Sequence, residues 1–350
     1  MRTLFLISIF LLVNHFSCLA QYRWQELENF SKDNDQFPPL VWAYKGSEYI
    51  MSKNPEKFKG DIDSQISLFV ITSERKPSYR QDAGQWVTDE KLWLFGGISE
   101  DRFQLMQDLW VYDLTSNRWE MIDNEVLPSP RRGSATWTDN KGRLWLFGGV
   151  TINHKDNSET LSNELWSFDI KAQKWTLHEV KESPTPRTDM AVWAVENNKV
   201  LLYGGFGYTI DNNRFGGLSD LWELNIERIQ WGRLSSEKDS PYDKDLGISS
   251  HPGYRIRPVF WKDQEGYCWL MSGQSQVDMH KISIDSYLWK LNPKDYTWTY
   301  EPVEPEKFVI RASSIYQHED RNTYMLFPTY VNEKGEYILS LSTHRLFLRK

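Results

Sequence analysis

DLWVYDLTSNRW, at residues 108–119, is the first of four segments in which two tryptophans stand nine residues apart. The other three are ELWSFDIKAQKW (164–175), DLWELNIERIQW (220–231) and YLWKLNPKDYTW (287–298). Their first tryptophans lie 56, 56 and 67 residues apart along the chain. A period near 50 residues is typical of one supersecondary unit that stacks on copies of itself. The sequence therefore predicts a repeat protein.

Two further features recur upstream of each tryptophan pair. One is an apolar strand that ends in two small residues: LWLFGG (92–97), LWLFGG (144–149), VLLYGG (200–205) and a degenerate copy, CWLMSG (268–273). The other is an arginine six residues before a tryptophan: Arg80/Trp86, Arg131/Trp137, Arg187/Trp193 and Arg255/Trp261. Each unit is thus predicted to hold four strands, with the arginine at the start of the first strand and the small residues at the end of the second.

The residue types suit sheets that pack face to face. A Gly-Gly pair permits positive φ and close backbone approach where a strand leaves its sheet. Tryptophans fill the space of about 10 Å between stacked sheets. We therefore predict that these tryptophans form core, not a ligand platform.

The combination resembles the kelch-repeat family. The apolar strand with Gly-Gly, the aromatic pair, and the Pro-x-Pro-Arg motif that opens two units (128–131 and 184–187) occur together over residues 80–302. The resemblance implies that each repeat is one blade of a β-propeller. The predicted fold is an all-β, six-bladed kelch-type β-propeller; seven blades is the alternative.

The ends of the chain complete the count of blades. We predict that a strand around Trp24 closes the last blade and removes its exposed edge. The predicted organisation is a signal peptide at 1–20 and one propeller domain at 21–350. Its blades are a degenerate one at about 36–76, four clear ones at about 80–123, 131–180, 187–235 and 255–302, and a last one at 311–350 plus 22–28.

The N-terminus predicts export. Arg2 precedes an apolar run from Leu4 to Val13, and small residues lead to Ala20, so we expect a signal peptide cleaved after Ala20 and a secreted or periplasmic protein. A lipoprotein signal at Cys18 is the alternative. The net charge of −7 argues against nucleic-acid binding, and no other apolar run is long enough for a transmembrane segment. Cleavage leaves one cysteine, Cys268, which we expect to be buried.

Long links are predicted to gather on one face of the propeller. They are the segments between strands two and three (about 98–108, 150–164, 206–220 and 274–287) and the stretch 232–254. Long loops on a rigid scaffold commonly carry binding sites. The first strand of a propeller blade lines the channel, so five arginines stand at the channel mouth on this face: Arg80, Arg131, Arg187, Arg255 and Arg311. They are the candidate ligand-binding residues, suited to an anion; a framework role within the blades is the alternative.

The resulting functional hypothesis is a binding module that holds a protein or a glycan on the long-loop face, without catalysis of its own. The alternative is an epimerase or mutarotase acting on an acidic sugar such as sialic acid at the channel mouth, because the blade count, the signal and the ring of arginines match secreted six-bladed kelch proteins that resemble sialic-acid epimerases. Glu100, Asp101 and His251 lie in loops of that face, but no catalytic pair can be assigned, so the catalytic residues stay unknown. A copper radical oxidase resembling galactose oxidase fits least. No metal or cofactor is predicted.

Overall fold

We describe the protein from a computed structural model. The description covers residues 22–29, 40–45, 47–52, 67–153, 155–210, 214–235, 251–271, 273, 275–278, 281–283, 287–302, 315–317, 323–326, 329–331, 337–339 and 342–348. The signal-peptide prediction and Arg311 lie outside these residues, as does most of the predicted 232–254 loop. Among the described residues there is no helix, and so none long and apolar enough to cross a membrane.

The described chain is built from strands. In order they are β1 (Tyr22–Asn29), β2 (Leu40–Tyr44), β3 (Ser47–Met51), β4 (Ser67–Val70), β5 (Arg80–Gln81), β6 (Gly84–Thr88), β7 (Lys91–Phe95), β8 (Ile98–Ser99), β9 (Leu109–Asp113), β10 (Arg118–Ile122), β11 (Arg131–Arg132), β12 (Ala135–Thr138), β13 (Leu144–Phe147), β14 (Val150–Ile152), β15 (Glu159–Leu161), β16 (Leu165–Asp169), β17 (Lys174–His178), β18 (Arg187–Thr188), β19 (Ala191–Val195), β20 (Lys199–Tyr208), β21 (Phe215–Asn225), β22 (Gln230–Ser235), β23 (Val259–Lys262), β24 (Cys268–Met271), β25 (Ser275–Asp278), β26 (Lys281–Ser283), β27 (Tyr287–Leu291), β28 (Trp298–Pro302), β29 (Ile315–Gln317), β30 (Thr323–Leu326), β31 (Thr329–Val331), β32 (Tyr337–Leu339) and β33 (Ser342–Leu348).

Six sheets of blade size are present in the described part of the chain, and we number them 1 to 6 in chain order. Sheet 1 is β2-β3-β4, sheet 2 is β6-β7-β9-β10, sheet 3 is β12-β13-β16-β17, sheet 4 is β19-β20-β21-β22 with the short β18 also paired to β20, sheet 5 is β23-β24-β27-β28 and sheet 6 is β29-β30-β33-β1. The first strands β2, β6, β12, β19, β23 and β29 pack against one another in that order, so they form the inner layer. This arrangement confirms the all-β propeller fold; the number of blades remains a prediction.

The last sheet joins both ends of the described chain, as predicted. Strand β1 pairs antiparallel with β33, and Trp24 stands opposite Leu346 in the register. The N-terminal strand thereby supplies the fourth strand of sheet 6 and pairs an edge that would otherwise be open.

Sheet 1 departs from the regular pattern. It has three described strands, and β4 pairs parallel to β3, whereas every strand pair of sheets 2 to 5 is antiparallel. A parallel pair needs a connection of about a dozen residues or more, and residues 52–66 separate β3 from β4 along the chain. This is the unit that lacks Gly-Gly and the fourth-strand tryptophan.

The core lies between neighbouring sheets and not within each one. Four apolar clusters are shared between sheets 1 and 2, 2 and 3, 3 and 4, and 4 and 5. Strands β7 and β13 are therefore buried on both faces, with every residue of Leu144–Phe147 fully buried. A strand buried on both faces is a near-continuous apolar run, which is why LWLF lacks the polar alternation of a half-exposed strand.

The tryptophans are core, as predicted, and they also connect the sheets. The Trp86 indole N–H donates to the carbonyl of Trp137 in the next sheet (3.1 Å), and the Trp193 indole donates to that of Trp261 (2.9 Å). Strand-two aromatics pack on the fourth-strand tryptophan of the following sheet, with ring centroids 5.1 Å apart for Phe95 and Trp175. Cys268 is fully buried in the same kind of core, and burial raises the pKa of its thiol to about 12.

The Gly-Gly pairs set the spacing between sheets. Gly148 and Gly149 both have positive φ, of 71° and 97°. The Gly149 N–H donates to the Arg187 carbonyl of the next sheet (2.8 Å), and a Cβ at Gly148 would lie 2.7 Å from that same oxygen. Any side chain at Gly148 would therefore push the next sheet away, which is the close approach that the sequence predicted.

Candidate functional site

Three of the five candidate arginines form ion pairs within their own sheets. Arg187 is fully buried, and its guanidinium donates to both oxygens of Asp220 at 2.6 and 2.8 Å and to the Gly204 carbonyl at 3.1 Å. The backbone of Arg187 meanwhile bonds to sheet 3, through Ser162 and Gly149. Arg187 is thus bonded to its own sheet through its side chain and to the preceding sheet through its backbone.

The same geometry recurs in the two preceding sheets. Arg80 pairs with Asp108, and Arg131 pairs with Glu164, each also donating to the carbonyl of the first glycine of Gly-Gly. The Trp110, Trp166 and Trp222 indoles donate to these three carboxylates. We call the set the blade frame: an arginine, a glycine carbonyl, an acid and an indole.

The frame carboxylates are held ionised. Burial by itself raises the pKa of Asp220, but the Arg187 ion pair and the Trp222 hydrogen bond outweigh it, so that pKa lies below its ordinary value. The pKa values of Asp108 and Glu164 are lowered in the same way, by their arginines acting against burial. The frame is therefore a set of satisfied ion pairs at neutral pH.

Arg255 differs from these three. The sequence places Tyr287, and not an acid, two residues before the first tryptophan of its unit. Arg255 is buried and its Nη1 donates to the Tyr254 carbonyl at 2.9 Å. Ligand contact by the five arginines stays a prediction, and the bonds of Arg80, Arg131 and Arg187 favour the framework alternative for those three.

A second set of equivalent positions forms a ring at the channel mouth. Each position lies two residues after an arginine of the repeat and has positive φ: Asp82 (54°), Gly133 (67°), Asp189 (61°) and Arg257 (52°). Each N–H donates to the carbonyl of the preceding member, over 2.8, 2.9 and 2.9 Å from Gly133 to Arg257. We call these four residues the inner ring. It links sheets 2, 3, 4 and 5 by one continuous series of backbone bonds.

The inner ring carries the charges of the mouth. The Arg257 guanidinium bonds to Asp82 at 2.8 Å and to Asp189 at 2.9 Å, so it reaches from sheet 5 to sheets 2 and 4. Burial raises the pKa of the Asp189 carboxyl; Arg257 opposes this and the neighbouring Asp82 adds to it. The carboxylates raise the pKa of Arg257 against the effect of its own burial.

The long links differ from the loops that the sequence predicts. Those between strands two and three are partly two-stranded ribbons: β14 with β15, β25 with β26, β31 with β32, and the outer halves of β20 and β21. Ribbons are stiffer than open loops because their backbone groups are paired, so this face presents fixed surfaces.

The largest described ribbon carries exposed aromatic side chains. Tyr208 stands opposite Phe215 in the register, and Phe206 lies on the same side two residues away. The Phe215 ring centroid is 4.6 Å from those of both Phe206 and Tyr208, at interplanar angles of 71° and 44°. Tyr208 and Phe215 are 44% and 47% exposed. We call these three residues the aromatic ribbon.

Two of the loop residues named for an enzyme, His251 and Asp101, differ in their exposure. His251 is buried, and its Nδ1 accepts from the Gly253 N–H at 3.1 Å, beside the Tyr203 hydroxyl. Asp101 is exposed in the turn after β8. The sequence analysis did not predict the inner ring. The frame acids, in contrast, can be recognised in the sequence, because each stands two residues before the first tryptophan of its repeat: Asp108, Glu164 and Asp220.

Comparison with known proteins agrees with the repeat. The family model described as the KLHDC2/KLHL20/DRC7 Kelch-repeats domain matches residues 56–251, more than half of the chain. Beta-scruin of Limulus polyphemus is 28% identical over 49% of this chain and 19% of its own length. An F-box/kelch-repeat protein of Arabidopsis thaliana is 28% identical, over 68% of this chain and 48% of its own length. Kelch domain-containing protein 1 of Homo sapiens is 28% identical, over 71% of this chain and 64% of its own length. The matches thus span less than two thirds of these relatives' own lengths.

Proposed function

Because the chain belongs to the kelch-repeat family, whose domains bind proteins, we propose that it is a binding module that holds a protein partner on the long-loop face. The aromatic ribbon is the observation that carries this proposal. Adjacent, half-exposed aromatic rings on a rigid scaffold are the kind of residue that contributes most to protein interfaces. A protein export signal at residues 1–20 would place this activity in a secreted or periplasmic protein.

The geometry of the ribbon favours a protein over a glycan. A sugar ring stacks on a flat aromatic face, whereas the rings here meet edge to face at 71° and obliquely at 44°. Such a cluster presents edges and corners, which suit apolar side chains packing from several directions. A glycan partner is therefore the less favoured choice on this surface.

The test is affinity capture with matched variants, performed in extracts of the source cells and in their culture medium. The bait Tyr208→Ser/Phe215→Ser should lose the captured protein by at least tenfold. Leu177→Ser is the control, because Leu177 is as exposed as Phe215 (47% each) but lies on the outer strand β17. Equal capture by all three baits would refute a partner site on the aromatic ribbon, and binding to a glycan array alone would replace the protein by a glycan.

A second candidate function rests on Asp189. A buried acid with a raised pKa at a channel mouth is the group that an epimerase or mutarotase for acidic sugars would need as its acid or base. The test is the rate of anomeric exchange of sialic acid, followed by NMR, with the wild-type protein and Asp189→Asn. Acceleration that Asp189→Asn abolishes would favour the enzyme; no acceleration by the wild-type protein would leave the binding module.

A further inference from the structure

Five charged side chains at the channel mouth alternate in sign from the channel to the rim. Asp189 bonds to Arg257 (2.9 Å), Arg257 to Asp82 (2.8 Å), Arg132 lies 3.8 Å from Asp82, and Arg132 bonds to Glu159 (3.0 Å). Side-chain exposure is 12% for Asp189 at one end of the series, 20–24% for the three groups between, and 49% for Glu159 at the other end. The series begins in a water-poor region and ends in the solvent.

The bond between Arg257 and Asp82 joins two sheets that are not neighbours. Asp82 belongs to sheet 2 and Arg257 to sheet 5, whereas the described inner strands pack in the order of the chain. A contact between them must cross the space that the inner strands enclose. Arg257 is thus a side-chain bridge over the channel, fixed at its own end by the inner-ring bond to the Asp189 carbonyl (2.9 Å).

We propose that Arg257, Asp82 and Asp189 form an ionic clasp that closes the channel mouth and fixes the spacing of sheets 2, 4 and 5. Arg132 extends the clasp to Glu159 on the rim ribbon β14–β15. This is a conformational device of the fold, and it goes beyond the proposed partner binding, because it makes no use of the aromatic ribbon. A clasp also implies that a partner on this face is held by the rim and does not enter the channel.

The physical case for the clasp is the charge balance. Two carboxylates share one guanidinium within about 3 Å of each. Loss of Arg257 would leave two like charges at one poorly hydrated site, with Arg132 3.8 Å from one of them. Loss of all three charges together would instead leave neutral groups of similar size. A clasp therefore predicts strong coupling among the three residues.

The experiment compares Arg257→Met with the triple variant Asp82→Asn/Asp189→Asn/Arg257→Met, by hydrogen exchange and thermal unfolding of the whole protein. In Arg257→Met we expect exchange of the inner-ring amides at positions 133, 189 and 257 to accelerate at least tenfold and the melting temperature to fall. In the triple variant we expect the melting temperature to recover by more than half of the decrease that Arg257→Met causes. Arg118→Met, at an exposed position of β10, is the control and should change neither.

Two outcomes would overturn the clasp. One is unchanged exchange of the inner-ring amides in Arg257→Met. The other is a triple variant less stable than Arg257→Met, which would mean that the three charges act independently. If Arg257→Met does not fold, Arg257→Gln takes its place, since its amide keeps a hydrogen-bond donor but removes the positive charge; wild-type exchange in Arg257→Gln would equally refute the clasp.

Discussion

The blade frame and the inner ring occupy positions only two residues apart, yet they repeat in different ways. The frame repeats in residue type, with Arg80, Arg131 and Arg187 each paired to an acid of their own sheet. The inner ring repeats in backbone conformation, while its residues are aspartate, glycine, aspartate and arginine. The difference teaches that the frame makes sheets 2 to 4 alike, whereas the side chains that differ from one unit to the next are those of the inner ring.

The physical reason lies in what each set must satisfy. The three frame arginines are buried within their own units, so each of these three units must supply a carboxylate. A ring residue makes its repeating bonds through the backbone, which any residue can do if it tolerates positive φ. Its side chain is consequently available for contacts across the channel, as the Arg257–Asp82 pair shows.

Among the substitutions that test this comparison, Asp220→Ala in the blade frame should have the largest effect on stability. It leaves the Arg187 guanidinium buried without its carboxylate, so we expect the free energy of unfolding to fall by about 3–5 kcal/mol, measured by urea denaturation. Glu164→Ala is the matched variant; Glu164 is 42% exposed against 3% for Asp220, so its loss should be clearly smaller. Equal losses would show that burial does not decide the strength of the frame.

Acid should weaken the frame. Because the folded-state pKa values of Asp108, Glu164 and Asp220 are lowered, their contribution to stability is present above the ordinary carboxyl pKa of about 4 and is lost as the pH falls through the folded values. At pH values below about 4, we expect the urea concentration at the unfolding midpoint to fall in the wild-type protein and to fall less steeply in Asp220→Asn. Parallel curves would contradict the assignment.

In the inner ring, Gly133→Ala tests the requirement for positive φ. We expect a loss of at least about 1–2 kcal/mol from the left-handed conformation alone. A Cβ at this position would also lie 2.2 Å from Thr188 Oγ1, so steric overlap should add to the loss. Thr188→Ala in the same background should recover the steric part, as measured by thermal unfolding. Full stability of Gly133→Ala would mean that the ring tolerates side chains at every member.

Asp189→Asn should respond to pH in the opposite sense to the frame. The folded-state pKa of Asp189 is raised, so this carboxyl contributes more to stability at low pH and less as the pH rises through the folded value. The wild-type protein should therefore gain stability relative to Asp189→Asn when the pH is lowered from 7 toward the ordinary carboxyl pKa. A constant difference across this range would show that Asp189 keeps its unfolded-state pKa.

The smallest expected effect lies at the outer end of the charge series. Glu159 is half-exposed, and its pair with Arg132 is worth about 0–1 kcal/mol as a surface ion pair. Glu159→Gln should leave the urea midpoint nearly unchanged. A loss comparable with that of Asp220→Ala would extend the framework from the blades to the rim.

Much of the fold was predictable because the same sequence motifs recur in several units of the chain. The nine-residue tryptophan step, Gly-Gly and the arginine predicted the strand order of sheets 2 to 5, and the unmatched Trp24 strand predicted the closure of sheet 6. Sheet 1 was predicted as degenerate, but its parallel pair was not, because strand direction there depends on a long link and not on a motif. The ribbons of the rim were predicted only as loops.

The sequence by itself determined the architecture of this protein, because buried indoles, Gly-Gly turns and frame acids impose residue types that can be counted along the chain. Only the tertiary structure decided what occupies the channel mouth. Asp82 and Arg257 are 175 residues apart, and although they hold equivalent positions in their repeats, no motif marks them as a pair; their 2.8 Å contact arises from closure of the sheets around one axis. Local patterns encode the units of a propeller, whereas its centre is made by residues that meet only when all the units are in place.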